Sequence, residues 1–237
     1  MDEKGTIWYN IKKTEVGEIF VEIRKIPTSG HASNCWILFD ETSREAAVID
    51  PSADAEEIMR VLAEDSLTLT QIWLTHGHFD HIFAADTLRD KTGAPLMIHR
   101  KDAHMLTDAY ANASALFFGE GETYREADGQ LKGGDALRLG EHTVFVRHTP
   151  GHTAGSVTLV ADTFLFTGDT LFENSIGRSD LPSGDAQALS DSLRRLVKMP
   201  GDYTVCSGHG EITTLEKERK NNPFLKNLFS DSKETTE

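Results

Sequence analysis

Seven residues, Thr75-His76-Gly77-His78-Phe79-Asp80-His81, follow directly on the apolar, strand-like stretch Gln71-Ile72-Trp73-Leu74. Three imidazoles and a carboxylate packed this tightly behind a strand narrow the fold to one that builds a polar site at a strand end. Neutral imidazole and carboxylate are ordinary ligands of zinc, iron and manganese. His76 and His78, two apart on extended chain, point to the same side, while Asp80 and His81 come after a bend. One short loop can therefore serve two metals.

The rest of the chain supplies strands and helices in alternation. With 237 residues it can bury a large core as one unit, since α/β folds run to about 200–250 residues in a single domain. No linker rich in Pro, Gly or Ser divides it, so residues 1–229 are expected to form one domain, with 230–237 a polar, disordered tail. Runs rich in Val, Ile and aromatics mark strands over 20–26, 35–39 and 46–49. Ile58, Val61 and Leu62 mark a helix over 55–64, with Glu56 and Glu57 in its first turn. The metal loop is expected to run into a helix over 80–91 that ends near Gly93. A strand over 95–99 and a longer helical stretch over 102–118 follow. Further strands are expected over 143–147, 156–160, 164–166 and 203–206. Asp185 is placed to cap a helix whose Leu189, Leu193, Leu196 and Val197 form one apolar stripe, and a last helix is expected over 215–220. Two β-rich halves, each with helices on one flank, suggest two sheets packed face to face with helices outside.

Three later loops carry further donors. His148-Thr149-Pro150-Gly151-His152-Thr153-Ala154-Gly155 offers an imidazole near a strand end, Thr167-Gly168-Asp169-Thr170 a carboxylate, and Ser207-Gly208-His209-Gly210 a last imidazole. Glycine flanks all of them, which lets backbone approach a metal closely and turn sharply. His148 and His152 compete for one role. In order and surroundings these motifs resemble the metallo-β-lactamase-fold hydrolases, and most closely their glyoxalase II (hydroxyacylglutathione hydrolase)-like branch of compact bacterial type. The resemblance covers nearly the whole chain, and the succession of His-x-His-x-Asp-His, Pro-Gly-His-Thr, Gly-Asp-Thr and Gly-His-Gly makes it specific. It implies an α/β (α+β) fold, a four-layer αββα sandwich of two mixed β-sheets flanked by helices, with a binuclear site at one edge between the sheets. It further implies His76, His78 and His152 on a first metal, Asp80, His81 and His209 on a second, and Asp169 bridging both. His148 is then left as a strand-end residue or a partner behind the ligands.

Such a site has a chemical use. Two divalent ions bring four positive charges, and Asp80 with Asp169 offsets half of them, leaving a centre that attracts hydroxide and polarises a carbonyl. A metal lowers the pKa of bound water from about 15.7 to ~7, so a bridging hydroxide is available at neutral pH. By resemblance it would attack a small acyl thioester such as S-D-lactoylglutathione, giving a hydroxy acid and a free thiol. Zn2+ is the expected metal, with Fe or Mn as alternatives.

Two departures from larger family members bear on the substrate. Their helical extension, whose basic residues help hold glutathione, looks absent beyond Asn222-Pro223-Phe224-Leu225-Lys226. The usual Lys and Tyr contacts give way to Glu173-Asn174-Ser175-Ile176-Gly177-Arg178-Ser179-Asp180-Leu181, whose Gly-Arg-Ser-Asp also resembles the persulfide dioxygenases. Arg178 is a candidate to grip a substrate carboxylate, set against simple pairing with Asp180. Lys217, Arg219 and Lys220 form a second candidate patch, set against a solvated face shared with Glu216 and Glu218. A mononuclear-iron persulfide dioxygenase using His76, His152 and Asp169, a hydrolase of lactones or other acyl bonds, and a non-catalytic binding module stand as alternatives.

Charge and composition exclude other classes. A formal net charge of −14 argues against a nucleic-acid partner, whose binding is driven by Lys and Arg. Cys35 and Cys206 are far apart and flanked by apolar residues, which suits buried thiols in a reducing compartment. No stretch approaches ~18 apolar residues, and Met1-Asp2-Glu3-Lys4 lacks the features of a leader, so the expectation is a cytoplasmic protein with no membrane partner. His31, His99, His104 and His142 are read as packed or surface histidines with nothing clustered around them.

Overall fold

The computed structural model describes residues 7–9, 21–28, 30 and 32–230. Phe20, His31 and residues 231–237 lie outside the described residues, so the expected tail is described only at Ser230, which ends a helix.

Seven strands lie side by side in chain order in the first sheet. These are β1 (Ile7–Tyr9), β2 (Val21–Ile26), β3 (Cys35–Asp40), β4 (Glu45–Ile49), β5 (Thr68–Trp73), β6 (Leu96–His99) and β7 (Gly129–Leu131). Neighbours from β1 to β4 run antiparallel, and from β4 to β7 parallel. The change follows from the connections, because parallel neighbours need a crossover. α1 (Ala55–Glu64) joins β4 to β5, and α2 (Ala85–Thr92) joins β5 to β6. The short α3 (Ser114–Phe118) lies in the long connection to β7.

The second sheet contains β8 (Ala136–Leu139), β9 (His142–His148), β10 (Val157–Ala161) and β11 (Phe164–Gly168) as antiparallel neighbours. A small hairpin, β12 (Leu171–Phe172) and β13 (Ser175–Ile176), stands apart from it. α4 (Ala186–Val197) then crosses over to β14 (Thr204–Ser207), which pairs parallel with β11 and antiparallel with β15 (Thr213–Thr214). α5 (Leu215–Asn221) and α6 (Pro223–Ser230) close the chain.

The alternation of side chains along each strand sorts the residues into three cores. On β3, Trp36 and Leu38 face the second sheet, while Cys35, Ile37 and Phe39 face α1 and α2. On β11, Phe164 and Phe166 point between the sheets and Leu165 packs under α4. The result is a helix–sheet–sheet–helix sandwich of two mixed sheets. Asp54 and Asp185 cap α1 and α4, their carboxylates accepting from Glu56 N at 2.8 Å and Ala188 N at 2.9 Å. Cys35 and Cys206 are free, buried and in different layers; burial pushes the Cys35 thiol up to about 12 and raises that of Cys206 too. Among the described residues, no helix is long and apolar enough to cross a membrane.

Two expected helices are broken. Over 80–91, a single 3-10 turn at Phe79–His81 precedes a separate α2 ending at Gly93. Backbone groups there have tertiary partners: Phe79 N donates to Asn112 O, Ser33 N to Asp80 O and Ala84 N to Pro51 O. Over 102–118, the Asp108 carboxylate accepts from Tyr110 N and Ala111 N, and Ala113 has φ +69°, so the chain turns between a 3-10 segment at Ala103–Thr107 and α3. α6 is not among the helices expected from sequence. It is held by Asn222, whose side-chain oxygen accepts from Phe224 N at 3.0 Å, and by Leu225 in the core under α4.

Candidate metal centre

All seven donors meet where the ends of β5, β9, β11 and β14 face one another at one edge of the sandwich. His76, His78 and His152 present nitrogens within 4.8 Å of one another, as do the donor atoms of His76, His81 and Asp169 and those of Asp80, His81 and His209. The Asp169 carboxylate stands between the groups: Oδ2 lies 3.5 Å from His152 Nε2 and 3.6 Å from His209 Nε2, and Oδ1 lies 3.4 Å from His81 Nε2. His209 Nε2 is also 3.1 Å from Asp80 Oδ2.

Partners behind the rings fix which nitrogen faces inward. A carbonyl only accepts, so His152 Nδ1, 2.8 Å from the Arg178 carbonyl, carries the proton and Nε2 turns its lone pair to the cluster. His81 Nδ1 lies 2.9 Å from Asp50 Oδ2, which leaves Nε2 toward Asp169 and Asp80. Asp50 in turn accepts from Thr75 N at 2.7 Å and Thr75 Oγ1 at 2.6 Å, locking the start of the loop to the end of β4. His78 Nδ1 and His152 Nε2 converge to 2.9 Å.

Electrostatics divide the histidines. Burial first, then the neighbouring imidazoles, push His76 well below the ordinary value and His78 down to about 3, so both are neutral at pH 7, as a ligand must be. Burial also lowers His81, but Asp169, Asp50 and Asp80 together outweigh it and raise its pKa well above the ordinary value. Burial raises Asp169; His81, His152 and His209 overcome this and hold the carboxyl well below the usual carboxylate range.

These residues fit a pair of divalent cations. His76 Nε2, His81 Nε2 and Asp169 Oδ1 are buried with no hydrogen-bond partner, and His78 turns Nδ1 to the same place. Three such orphans together are a large desolvation penalty unless a cation answers them. The donor set, imidazole nitrogen and carboxylate oxygen, is that of zinc, iron or manganese.

The later loops are seated by close backbone contact. Gly168 has φ +47° and leaves room for the Thr75 side chain, while Gly208 N bonds Gly168 O at 2.9 Å. A Cβ at position 208 would land on the Asp169 carboxylate and the His81 ring, so only glycine lets β14 come this near. From the first sheet, Asn34 donates Nδ2 to the carbonyls of Ser207 and Gly210, both at 3.0 Å, and Trp36 Nε1 reaches Ser207 O at 3.3 Å. Asp102, buried, accepts from Thr153 Oγ1 and Gly155 N, both at 2.6 Å, and so fixes the loop that bears His152. Asn34, Asp50 and Asp102 are functional residues that sequence reasoning misses; a strand-end carboxylate before Pro51 is the one visible signal, for Asp50.

Histidines outside the site behave differently. His148 bonds the Ala154 carbonyl through Nε2 at 2.9 Å and stacks on His99 at 4.3 Å between ring centroids. Its ring is therefore turned away from the cluster, and His99 is not isolated as expected. His142 lies 3.4 Å from Asp162.

Above the centre opens a cavity of about 530 Å³ whose floor includes His78, Asp80, His152, Asp169 and His209. Arg178 lines it, but its guanidinium is already clasped by Asp180 at 2.6 and 2.8 Å on the exposed rim. The second candidate patch is not gathered at the cavity. Lys217 pairs with Glu173 at 2.6 Å, Lys220 with Glu216, and Arg219 donates to the carbonyls of Val197, Met199 and Gly201 behind α4.

Residues 28–209 match the family model of the metallo-beta-lactamase superfamily. The chain is 32% identical over 209 residues to the hydroxyacylglutathione hydrolase GloC of Haemophilus influenzae, covering 86% of this chain and 98% of that one. The crystal structure of BLEG-1 B3 metallo-beta-lactamase superposes with a TM-score of 0.82 at 39% identity, over 86% of this chain and 99% of that one. The crystal structure of TTHA1623 in a di-iron-bound form gives 0.72 at 33% identity, over 84% and 99%.

Proposed function

From the membership of this chain in the metallo-beta-lactamase superfamily, we propose that it is a binuclear metallohydrolase that cleaves a small acyl thioester to an acid and a free thiol, with S-D-lactoylglutathione as the reference substrate. The observation that carries this reading is the convergence of two donor groups on one carboxylate, Asp169. His76, His78 and His152 would hold one ion, Asp80, His81 and His209 the other, and Asp169 both. When bound, the two ions supply a water acidified toward neutral pH and a Lewis acid for a carbonyl oxygen.

The chain's own residues prepare that chemistry. Neutral His76 and His78 offer lone pairs without first losing a proton, and Asp50 and the Arg178 carbonyl keep His81 and His152 turned inward. Asp80 and Asp169 are held ionised, so the site keeps two negative charges facing the cations. The apolar walls of the cavity shed water from the reacting centre, which strengthens every charge interaction inside it.

The test joins metal analysis to turnover. About two divalent metals per chain are expected, with release of one thiol per acid and no oxygen uptake. One iron per chain with oxygen consumed on glutathione persulfide would replace this reading by the dioxygenase.

A further inference from the structure

The cavity over the metal centre has two unlike surfaces. Its floor is the donor set, and its walls are aromatic and aliphatic: Phe79, Phe117 and Phe118 on one side, Phe172, Ile176 and Leu181 on the other. Phe79 lies between the donors His78 and Asp80 in sequence and is buried, with its ring 5.5 Å from Phe117, 5.1 Å from Phe118 and 5.9 Å from Phe83. Phe117 and Phe118 are 55% and 60% exposed, a large area of bare aromatic surface at the mouth of a site. They are not on a loose loop. Ser114 Oγ accepts from Glu122 N at 2.8 Å, Asn112 Nδ2 donates to Glu122 O at 2.9 Å, and Asn112 O receives Phe79 N, so α3 is tied to the metal loop itself.

The polar side of recognition is missing. Among the described residues, Arg178 is the only Lys or Arg lining the cavity, and the Nε/Nη2 edge of its guanidinium is taken by Asp180. An incoming carboxylate could still reach Nη1, but Asp180 already offsets the charge and the pair sits on the exposed rim, so the net gain is small. Glutathione brings two carboxylates, and apart from the metals themselves the cavity lining offers them no cation but the paired Arg178. Apolar walls, in contrast, reward any buried methylene or ring in proportion to its area. The space is ample: a cavity of about 150 Å³ takes up benzene, and this one is several times larger.

Resting on the thioesterase reading, we propose that the substrate carries an aromatic or medium-chain apolar group beside its scissile carbonyl, seated on the Phe79–Phe117–Phe118 wall, and a thiol portion without charges that need a grip. Specificity then lies in the phenyl wall, so S-D-lactoylglutathione shares the reaction but is cleaved less efficiently than a thioester with an apolar acyl group.

Binding of uncleavable thioethers to the metal-loaded protein, measured by calorimetry, tests this without relying on turnover. N-acetyl-S-benzylcysteamine is expected to bind at least tenfold more tightly than S-methylglutathione. The double variant Phe117→Ala/Phe118→Ala, altered only at exposed positions, should lose fivefold or more for the benzyl compound and stay within twofold for the glutathione compound. Equal or tighter binding of S-methylglutathione, or an unchanged benzyl affinity in the double variant, overturns the proposal. If neither S-benzoyl-N-acetylcysteamine nor S-D-lactoylglutathione is cleaved while the benzyl preference persists, the hydrolase reading falls and the apolar specificity stands. If both are cleaved with glutathione preferred, the hydrolase reading stands and the apolar specificity falls.

Discussion

The two sheets contribute to the centre in different ways. The first delivers four donors from six consecutive residues, His76 to His81, and braces them with Asp50 from the adjacent strand end. The second delivers three donors from three loops separated by up to forty residues of chain, braced mainly by glycine backbone approaching at contact distance. The first contribution is chemical and local, so it depends on side-chain identity. The second is geometric, so it depends equally on residues that coordinate nothing.

Three substitutions would break or sharpen that contrast. The largest effect is expected for Asp169→Ala, which removes the carboxylate shared by both donor groups: kcat/KM should fall by on the order of 10³-fold, a loss of several kcal/mol of charge stabilisation, with bound metal dropping from about two to about one. Full activity in that variant would mean the two groups do not act as one centre. Gly208→Ala keeps all seven donors yet forces β14 away from Asp169 and His81. An activity loss of roughly 10²-fold is expected, since displacements near 1 Å have that effect, and steady-state kinetics at saturating metal would show it. Unchanged kinetics would erase the geometric side of the comparison. The smallest effect is expected in the first half, where Asp50→Asn leaves His81 in place but weakens the partner behind it. Metal affinity measured by chelator competition should fall about 10–100-fold, while saturating metal restores most of the rate.

The same contrast explains what can be read from sequence. The donors are legible because each lies in a short polar motif beside glycine at the end of a β-type run, and the strands are legible from Val, Ile and aromatic alternation. The boundary at 80–91 is not, because backbone groups there bond to Asn112, Ser33 and Pro51, partners that adjoin only after folding. The stretch 102–118 is broken by the Asp108 turn and by Ala113 at φ +69°, which its apolar spacing does not signal. Asp50, Asn34 and Asp102 look like ordinary polar residues until the sheets pack. Phe117 and Phe118 read as the apolar end of a helix, whereas the turn at Ala113 swings them out over the cavity. The charge of Arg178 is plain in the sequence; its engagement with Asp180 is the competing possibility, and that pairing is present.

At the metal edge Val157 N donates to Thr75 O at 2.8 Å, and Asn34 ties the first sheet to β14 and the loop after it. Away from it the sheets meet through apolar side chains and polar ties such as Gly140 N to Glu45, Glu141 N to Asp40 and Gln71 to Arg138 O. Cations lodged at this edge would therefore act as rivets through a laminate. Scarcity of the ion would then be felt as lost stability as well as silent chemistry, since whatever binds the folded state alone also stabilises it.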